Sequence, residues 1–267
     1  MSSNHHADHE FYIPAGSIWP PLSCLGAGLM AFGFIGHLHF KPAIIGNGLM
    51  ILGALVVLMS ALQWFWEMTR SAKARGFGKG MVPLVQDLAQ RYGMIFFIVS
   101  EIMFFTAFFA AYFYLRAHNP EWPPANIMEI PVHLPILATL ILLTSGATVT
   151  WAHHALLTNR RQAAATATGL TWGLGVIFLG VQAYEYHHLV HEGVGLSSGV
   201  FGSVFYMVTG FHGFHVLIGS LMLMWTHWRL KQGDYTRHNH FYFEAAAWYW
   251  HFVDVVWIGL FLFVYVL

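Results

Sequence analysis

The segment from Tyr92 to Leu115 reads YGMIFFIVSEIMFFTAFFAAYFYL, and it decides the fold class. These 24 residues contain no proline, a basic residue flanks each end (Arg91 and Arg116), and Glu101 is the only charged group among them. Because about 20 apolar residues in a helix cross ~30 Å of hydrocarbon, the segment is predicted to span a membrane. An ionisable group at that depth is by default a candidate functional residue.

The composition extends this interpretation to the whole chain. Of its 267 residues, 57% are hydrophobic and 9% are charged, whereas a soluble domain carries about 25% charged residues. The formal net charge of zero gives no indication of a nucleic-acid partner. Cys24 is the only cysteine, which excludes an internal disulfide, and the absence of a basic n-region predicts no cleaved signal peptide. The sequence therefore predicts an integral membrane protein.

Seven apolar segments are long enough to cross a membrane, so we expect an all-α membrane protein forming one integral membrane domain, residues 1–267. A tail (1–16) precedes helices 1 and 2 (17–66), and a glycine- and charge-rich loop (67–91) separates them from helices 3–7 (92–267). The predicted spans are Ser17–Gly36, Ala43–Trp66, Tyr92–Leu115, His133–Leu157, Thr168–His188, Val200–Trp228 and Phe241–Leu267.

The distribution of lysine and arginine predicts the orientation of these spans. Ten of the 12 basic residues fall in the second, fourth and sixth connections, while only Lys41 and Arg116 fall on the other side. Cytoplasmic connections carry the excess of basic residues, so the N-terminus is predicted to be cytoplasmic and the C-terminus to lie on the opposite side. The tail 1–16 and the loop 67–91 are then cytoplasmic.

Four carboxylates in or near the spans are candidates for chemistry. Glu101 lies about ten residues, or ~15 Å, from the cytoplasmic end of its helix, which places it near the midplane. Desolvation there disfavours the charged form, so a neutral acid is expected. It is either a structural acid hydrogen-bonded to another helix or a proton-handling group, and Asp254 is a second intramembrane acid with the same two interpretations. Glu185 and Glu244 lie closer to span ends and are expected to be more easily hydrated.

Histidines in the sixth span are the expected partners of Glu101. His212 and His215 lie three residues apart near the midplane, and either is a possible hydrogen-bond partner of that carboxyl group. The histidine and cysteine spacing matches no metal motif, so no metal ligand and no catalytic residue are assigned to this chain. Gly26, Gly28 and Gly33 in the first span are expected to pack against another helix.

Aromatic and basic residues at the cytoplasmic ends of two spans predict contacts with lipid. Trp64 and Arg70 close the second span, and Arg229 closes the sixth. An arginine beside an aromatic ring at head-group depth suits a phosphate group, although anchoring by the positive-inside rule explains the same residues.

Six segments of this sequence are distinctive: RYGMI (91–95), SEIMFF (100–105), WPP (122–124), WAHH (151–154), GFHGFHV (210–216) and FEAAAWYWHFVDVVW (243–257). They closely resemble subunit III of haem–copper cytochrome c oxidases, and the resemblance covers essentially the whole chain. The full set of seven spans is similar to the aa3-type enzyme, and a cytoplasmic N-terminus suits a bacterial member.

The resemblance implies an accessory subunit of a proton-pumping oxidase that transfers electrons from ferrocytochrome c to oxygen. Two-helix and five-helix bundles would form a V-shaped, lipid-filled cleft, with Trp64, Arg70 and Arg229 at the phospholipid head groups. Glu101 falls on the carboxyl group that reacts with carbodiimides in this family. The chain would contact subunit I directly, assemble with subunit II and any small subunits, and carry no cofactor of its own. Haem a, haem a3 and copper would reside in the partner subunits.

This resemblance implies a multi-pass protein of the bacterial inner membrane that supports proton uptake and active-site stability in subunit I. One alternative is subunit III of a quinol-oxidising haem–copper oxidase, where a five-span form is expected. A second alternative is a stand-alone proton-coupled transporter using Glu101 and Asp254, which would show repeated halves or broken helices. Neither feature is visible in the sequence.

Overall fold

The computed structural model describes residues 16–39, 42–74, 84–124, 132–237 and 240–267, and within them each predicted span corresponds to one α-helix. All seven helices are long and apolar enough to cross a membrane, as the sequence analysis predicted. A short π-helical segment, Phe261–Val266, continues the last of them. The helices are α1 (Trp19–His39), α2 (Ile44–Ala74), α3 (Leu84–His118), α4 (His133–Leu157), α5 (Arg161–His191), α6 (Gly199–Gln232) and α7 (Phe241–Leu260).

The helices flanking the predicted loop 67–91 are longer than the spans. α2 continues to Ala74 and α3 begins at Leu84, because the polar residues at these ends are good helix formers even though they are too polar for hydrocarbon. Apolarity marks where the membrane ends, whereas backbone hydrogen bonding marks where the helix ends. Residues 75–83 of the loop and 1–15 of the tail lie outside the described residues.

The chain divides into two compact units, Met1–Gln86 and Asp87–Leu267. In the first, α1 and α2 form an antiparallel pair in which glycines allow close backbone approach. A methyl group added to Gly53 of α2 would lie 2.6 Å from the carbonyl oxygen of Gly26 on α1, so neither position has room for a side chain. The Oγ atoms of Ser23 and Ser60 lie 2.6 Å apart across the same interface.

The second unit is built around α7, in which two of the three tryptophans, Trp250 and Trp257, are fully buried. Their indole Nε1 groups donate hydrogen bonds to Ser145 Oγ and Thr139 Oγ1 of α4, each at 2.9 Å. Gly219 of α6 lies against the Trp250 ring, where an added methyl group would approach Cε3 to 2.8 Å. The bulky indole therefore fits because a glycine stands opposite it.

Helix α3 joins the second unit in a different way. Within the described residues, it makes few close backbone approaches to other helices, and large aromatic side chains fill the gap instead. Phe97 stacks on Tyr249 with ring centroids 6.2 Å apart, and Phe104 meets Phe211 edge-on at 5.3 Å. The helix that carries Glu101 is thus held by ring contacts and by the polar pair described next.

Candidate functional site

The carboxyl group of Glu101 meets one histidine of α6. Glu101 Oε2 lies 2.9 Å from His215 Nε2, and the side chains of the two residues are 23% and 10% exposed. The structure therefore brings together Glu101 and one of the two histidines that the sequence offered as partners.

The second ring nitrogen of His215 determines how protons are distributed in this pair. His215 Nδ1 lies 2.7 Å from the carbonyl oxygen of Phe211. Because a carbonyl oxygen only accepts, Nδ1 must carry a hydrogen. A neutral His215 then has a bare Nε2, and Glu101 has to be the protonated donor; a charged His215 instead pairs with a carboxylate. The contact therefore requires a hydrogen on either the Glu101 carboxyl group or His215 Nε2.

Aromatic rings surround the His215 imidazole on several sides. Phe105 makes an edge contact with a centroid distance of 4.9 Å, Tyr249 is stacked at 6.3 Å, and Phe252 lies at 6.3 Å. These rings exclude water and lower the local dielectric, which strengthens the polar contact between the two helices. The arrangement joins α3 to α6 through one polar contact in largely aromatic surroundings.

His212 does not join this site. It is 1% exposed and packs against Trp257 and Phe178, with centroid distances of 5.1 and 5.8 Å. Neither of its nitrogens has a hydrogen-bond partner among the described residues. Three residues correspond to a rotation of about 300° around a helix, so His212 and His215 point in directions ~60° apart.

Asp254 belongs to a separate polar seam between α4 and α7. It is 6% exposed, its Oδ2 lies 3.7 Å from His251 Nδ1, and it packs against Gly146, where an added methyl group would overlap that oxygen. The other nitrogen of His251 lies 3.2 Å from Thr150 Oγ1. None of these described contacts connects Asp254 with Glu101.

Comparison with known proteins identifies the family. The family model for cytochrome c oxidase subunit III matches residues 9–267. Cytochrome c oxidase subunit 3 of Tragelaphus oryx is 41% identical over 266 residues, which cover 97% of this chain and 98% of the relative. The subunit 3 of Dugong dugon is 40% identical with the same coverage. The chain belongs to the cytochrome c oxidase subunit III family. It is therefore a subunit of a multi-subunit oxidoreductase complex and a multi-pass membrane protein.

The residues that the subunit III resemblance assigns to lipid lie in both units. Trp64 and Arg70 are exposed on α2 of the first unit, six residues or ~9 Å apart along the helix. In the second unit, the half-buried Arg229 pairs through Nε with Asp234 and places its guanidinium 5.5 Å from the centre of the Tyr235 ring. An arginine next to an aromatic ring is an arrangement suited to a phosphate group.

Glu185 of this subunit III chain is not hydrated as the sequence analysis expected. It is 4% exposed, and its Oε2 accepts hydrogen bonds from Gln182 Nε2 at 2.7 Å and from the Tyr265 hydroxyl at 3.1 Å. The prediction was wrong because the π-helical end of the chain covers this part of α5. The three-residue spacing of Gln182 and Glu185 on one helix could have predicted the first hydrogen bond. The second could not be predicted, because Tyr265 lies 80 residues away along the chain.

Proposed function

We propose that this chain is the accessory subunit III of a proton-pumping oxidase that oxidises ferrocytochrome c and reduces oxygen to water. In this role it binds phospholipid and supports proton uptake and active-site stability in subunit I. Haem a, haem a3 and copper reside in the partner subunits. The observation that carries the proposal, beyond family membership, is the 2.9 Å contact by which Glu101 of α3 meets His215 of α6.

The surroundings of this pair favour an accessory role over proton transport by the chain alone. A transporter needs successive protonatable groups leading to both membrane faces. Around the His215 ring lie Phe104, Phe105 and Phe252, which carry no protonatable group, and Tyr249, which carries one hydroxyl. The pair serves mainly to fix α3 against α6, which presents an ordered surface to a partner subunit.

A role in lipid binding is supported by the exposed surface of α3. Phe96 and Met103 are 70% and 68% exposed, which is unfavourable in water but appropriate against acyl chains or another membrane subunit. An open apolar groove of about 690 Å³ between α3 and α6 is lined by Phe108, Val204 and Met207, among others. Acyl chains match this lining, whereas Arg229 lies in the last turn of α6, at the other end of the helix from the groove, and would meet a separate head group.

The names of the matched relatives favour cytochrome c over quinol as the electron donor. Both reported relatives are cytochrome c oxidase subunits, and the chain has the seven spans rather than the five expected of a quinol-oxidising form. We propose residence in a bacterial inner membrane, because the charge asymmetry of the connections predicts a cytoplasmic N-terminus and this orientation suits a bacterial member of the family.

Replacement of Glu101 by glutamine in the assembled oxidase tests the proposal. If Glu101 took part in the chemistry, its loss would lower turnover by about 10²–10⁴-fold, as expected for a general acid or base. For an accessory residue, we expect oxygen consumption with ferrocytochrome c to change by less than about twofold, well below that range. Glu121→Gln, at an exposed acid in the connection after α3, is the matched control. A near-complete loss of activity in a fully assembled Glu101→Gln enzyme would refute the accessory assignment.

A further inference from the structure

Two histidines and a glutamate meet where the end of α4 faces the start of α7. The ligand atoms of His153, His240 and Glu244 all lie within 4.8 Å of one another. The two Nε2 atoms approach the same carboxylate oxygen, Glu244 Oε1, at 3.6 Å from His153 and 3.4 Å from His240. We propose that these three residues bind one zinc ion, with a fourth position for water or another ligand.

The distances between these atoms fit a shared metal ion better than direct hydrogen bonds. A hydrogen bond of this type is normally 2.7–3.2 Å long, and neither Nε2 atom has a hydrogen-bond partner among the described residues. In tetrahedral zinc sites with ligands at ~2.0–2.1 Å, neighbouring ligand atoms are about 3.3 Å apart. The two nitrogen–oxygen distances of 3.6 and 3.4 Å are slightly longer than this value, so a bound zinc ion would draw the ligand atoms a little closer together.

The protein also supplies the supporting contacts that metal ligands usually have. His240 Nδ1 lies 3.1 Å from the carbonyl oxygen of Thr236, which places its hydrogen on Nδ1 and leaves Nε2 free to bind a cation. Glu244 turns its second oxygen, Oε2, to Arg91 Nη1 at 2.6 Å. The His153 ring stacks on Phe243 with centroids 5.7 Å apart. Each ligand is thus oriented by a neighbour that does not occupy its metal-binding atom.

The set of donor atoms and the local charge favour a zinc ion. Two imidazoles and one carboxylate with an open position form one of the common zinc ligand sets, and neutral imidazole is a poor ligand for calcium or magnesium. Arg91 also pairs with Asp87 at 2.9 Å. The two carboxylates and one guanidinium leave one negative charge to offset the ion. No metal motif is recognisable in the sequence because α4 supplies one ligand, whereas the other two lie at the distant start of α7.

Metal binding to the purified full chain in lipid nanodiscs tests this site. The experiment uses a background in which His5, His6 and His9 are replaced by alanine, so that the histidine-rich tail does not compete. We expect one tight equivalent of Zn²⁺ by competition with a chelating dye. His153→Ala and His240→Ala should each weaken it at least ~10–100-fold, since even the loss of a supporting contact costs that much.

The matched control is the double variant His187→Ala/His191→Ala. These two exposed histidines lie 3.1 Å apart on α5, so they form an alternative two-histidine site. Retained tight binding in this control, with loss in His240→Ala, supports the proposal; the reverse pattern overturns it. Because a ligand variant can fail to fold, the Co²⁺ spectrum of the background chain provides a second measurement. Intense absorption typical of tetrahedral Co²⁺ is expected, and a weak octahedral spectrum would overturn the site.

Discussion

At the scale of single residues, Glu101 and His215 show how two ionisable groups remain together inside hydrocarbon. A charged side chain near the bilayer centre costs several kcal/mol when it is alone. The contact between Oε2 and Nε2 at 2.9 Å gives each group a hydrogen-bond partner on the other helix.

Replacing the arginines at the proposed head-group positions should release bound lipid. We expect Arg70→Ala with Arg229→Ala to lower the amount of phospholipid that co-purifies with the oxidase and to shorten its catalytic lifetime, because each arginine contributes about 1 kcal/mol to an anionic surface. Native mass spectrometry measures the lipid, and oxygen consumption over successive turnovers measures the lifetime. Arg160→Ala, at an exposed arginine in the connection before α5, is the control. Unchanged lipid in the double variant would contradict the proposed sites.

The sequence predicted the depth of Glu101 but could not select its partner. The depth of Glu101 in the membrane is predicted by counting residues along an uninterrupted apolar segment, so this prediction requires no knowledge of the neighbouring helices. The choice between His212 and His215 depends on the rotation of α6 about its axis, which packing against α7 determines. The burial of Glu185 was missed for a related reason, since Tyr265 reaches it only through the π-helical turn at 261–266.

At the scale of helices, small residues determine which helices approach closely. Gly26, Gly28 and Gly33 were predicted from the sequence to pack against another helix. In the structure Gly26 and Gly33 face α2, whereas no atom of another element lies within 4 Å of where a Gly28 side chain would begin. Composition therefore predicts that α1 has a packing face, but not which glycines belong to it. Gly26 and Gly33 belong to it because they lie almost two turns apart, on the same side of the helix.

Substitution of Gly53 should disrupt the pairing of α1 with α2. In Gly53→Ala the new methyl group would lie 2.6 Å from the Gly26 carbonyl oxygen, and overpacking of this kind costs about 1–3 kcal/mol. Gly48 lies on the same helix with open space around it, so Gly48→Ala should be neutral or stabilising, by up to about 1 kcal/mol from helix propensity. Thermal unfolding of the full chain in detergent measures the difference. Equal melting temperatures for the two variants would show that close α1–α2 packing does not stabilise the protein.

At the scale of the whole molecule, ion pairs and hydrogen bonds within the second unit join connections that are predicted to lie on the same side of the membrane. Arg161, after α4, donates hydrogen bonds to the carbonyl oxygens of Gly233 and Tyr235, between α6 and α7. Arg91, at the start of α3, pairs with Glu244 at the start of α7. These basic positions therefore share one end of the helices, as five alternating spans require, and the positive-inside rule assigns that end to the cytoplasm.

Labelling of single cysteines tests the orientation that this charge asymmetry predicts. With Cys24 replaced by serine, Asn159→Cys in the connection between α4 and α5 should face the cytoplasm, and Glu121→Cys after α3 should face the opposite side. A membrane-impermeant maleimide applied to spheroplasts should then label Glu121→Cys and reach Asn159→Cys only after lysis. The physical reason is that translocating the basic connections across the membrane is unfavourable, whereas the side with Lys41 and Arg116 carries little positive charge. The opposite labelling pattern would contradict the predicted orientation of both termini. It would also mean that the proposed zinc ligands, which lie at the same end of the helices as Arg91, face away from the cytoplasm.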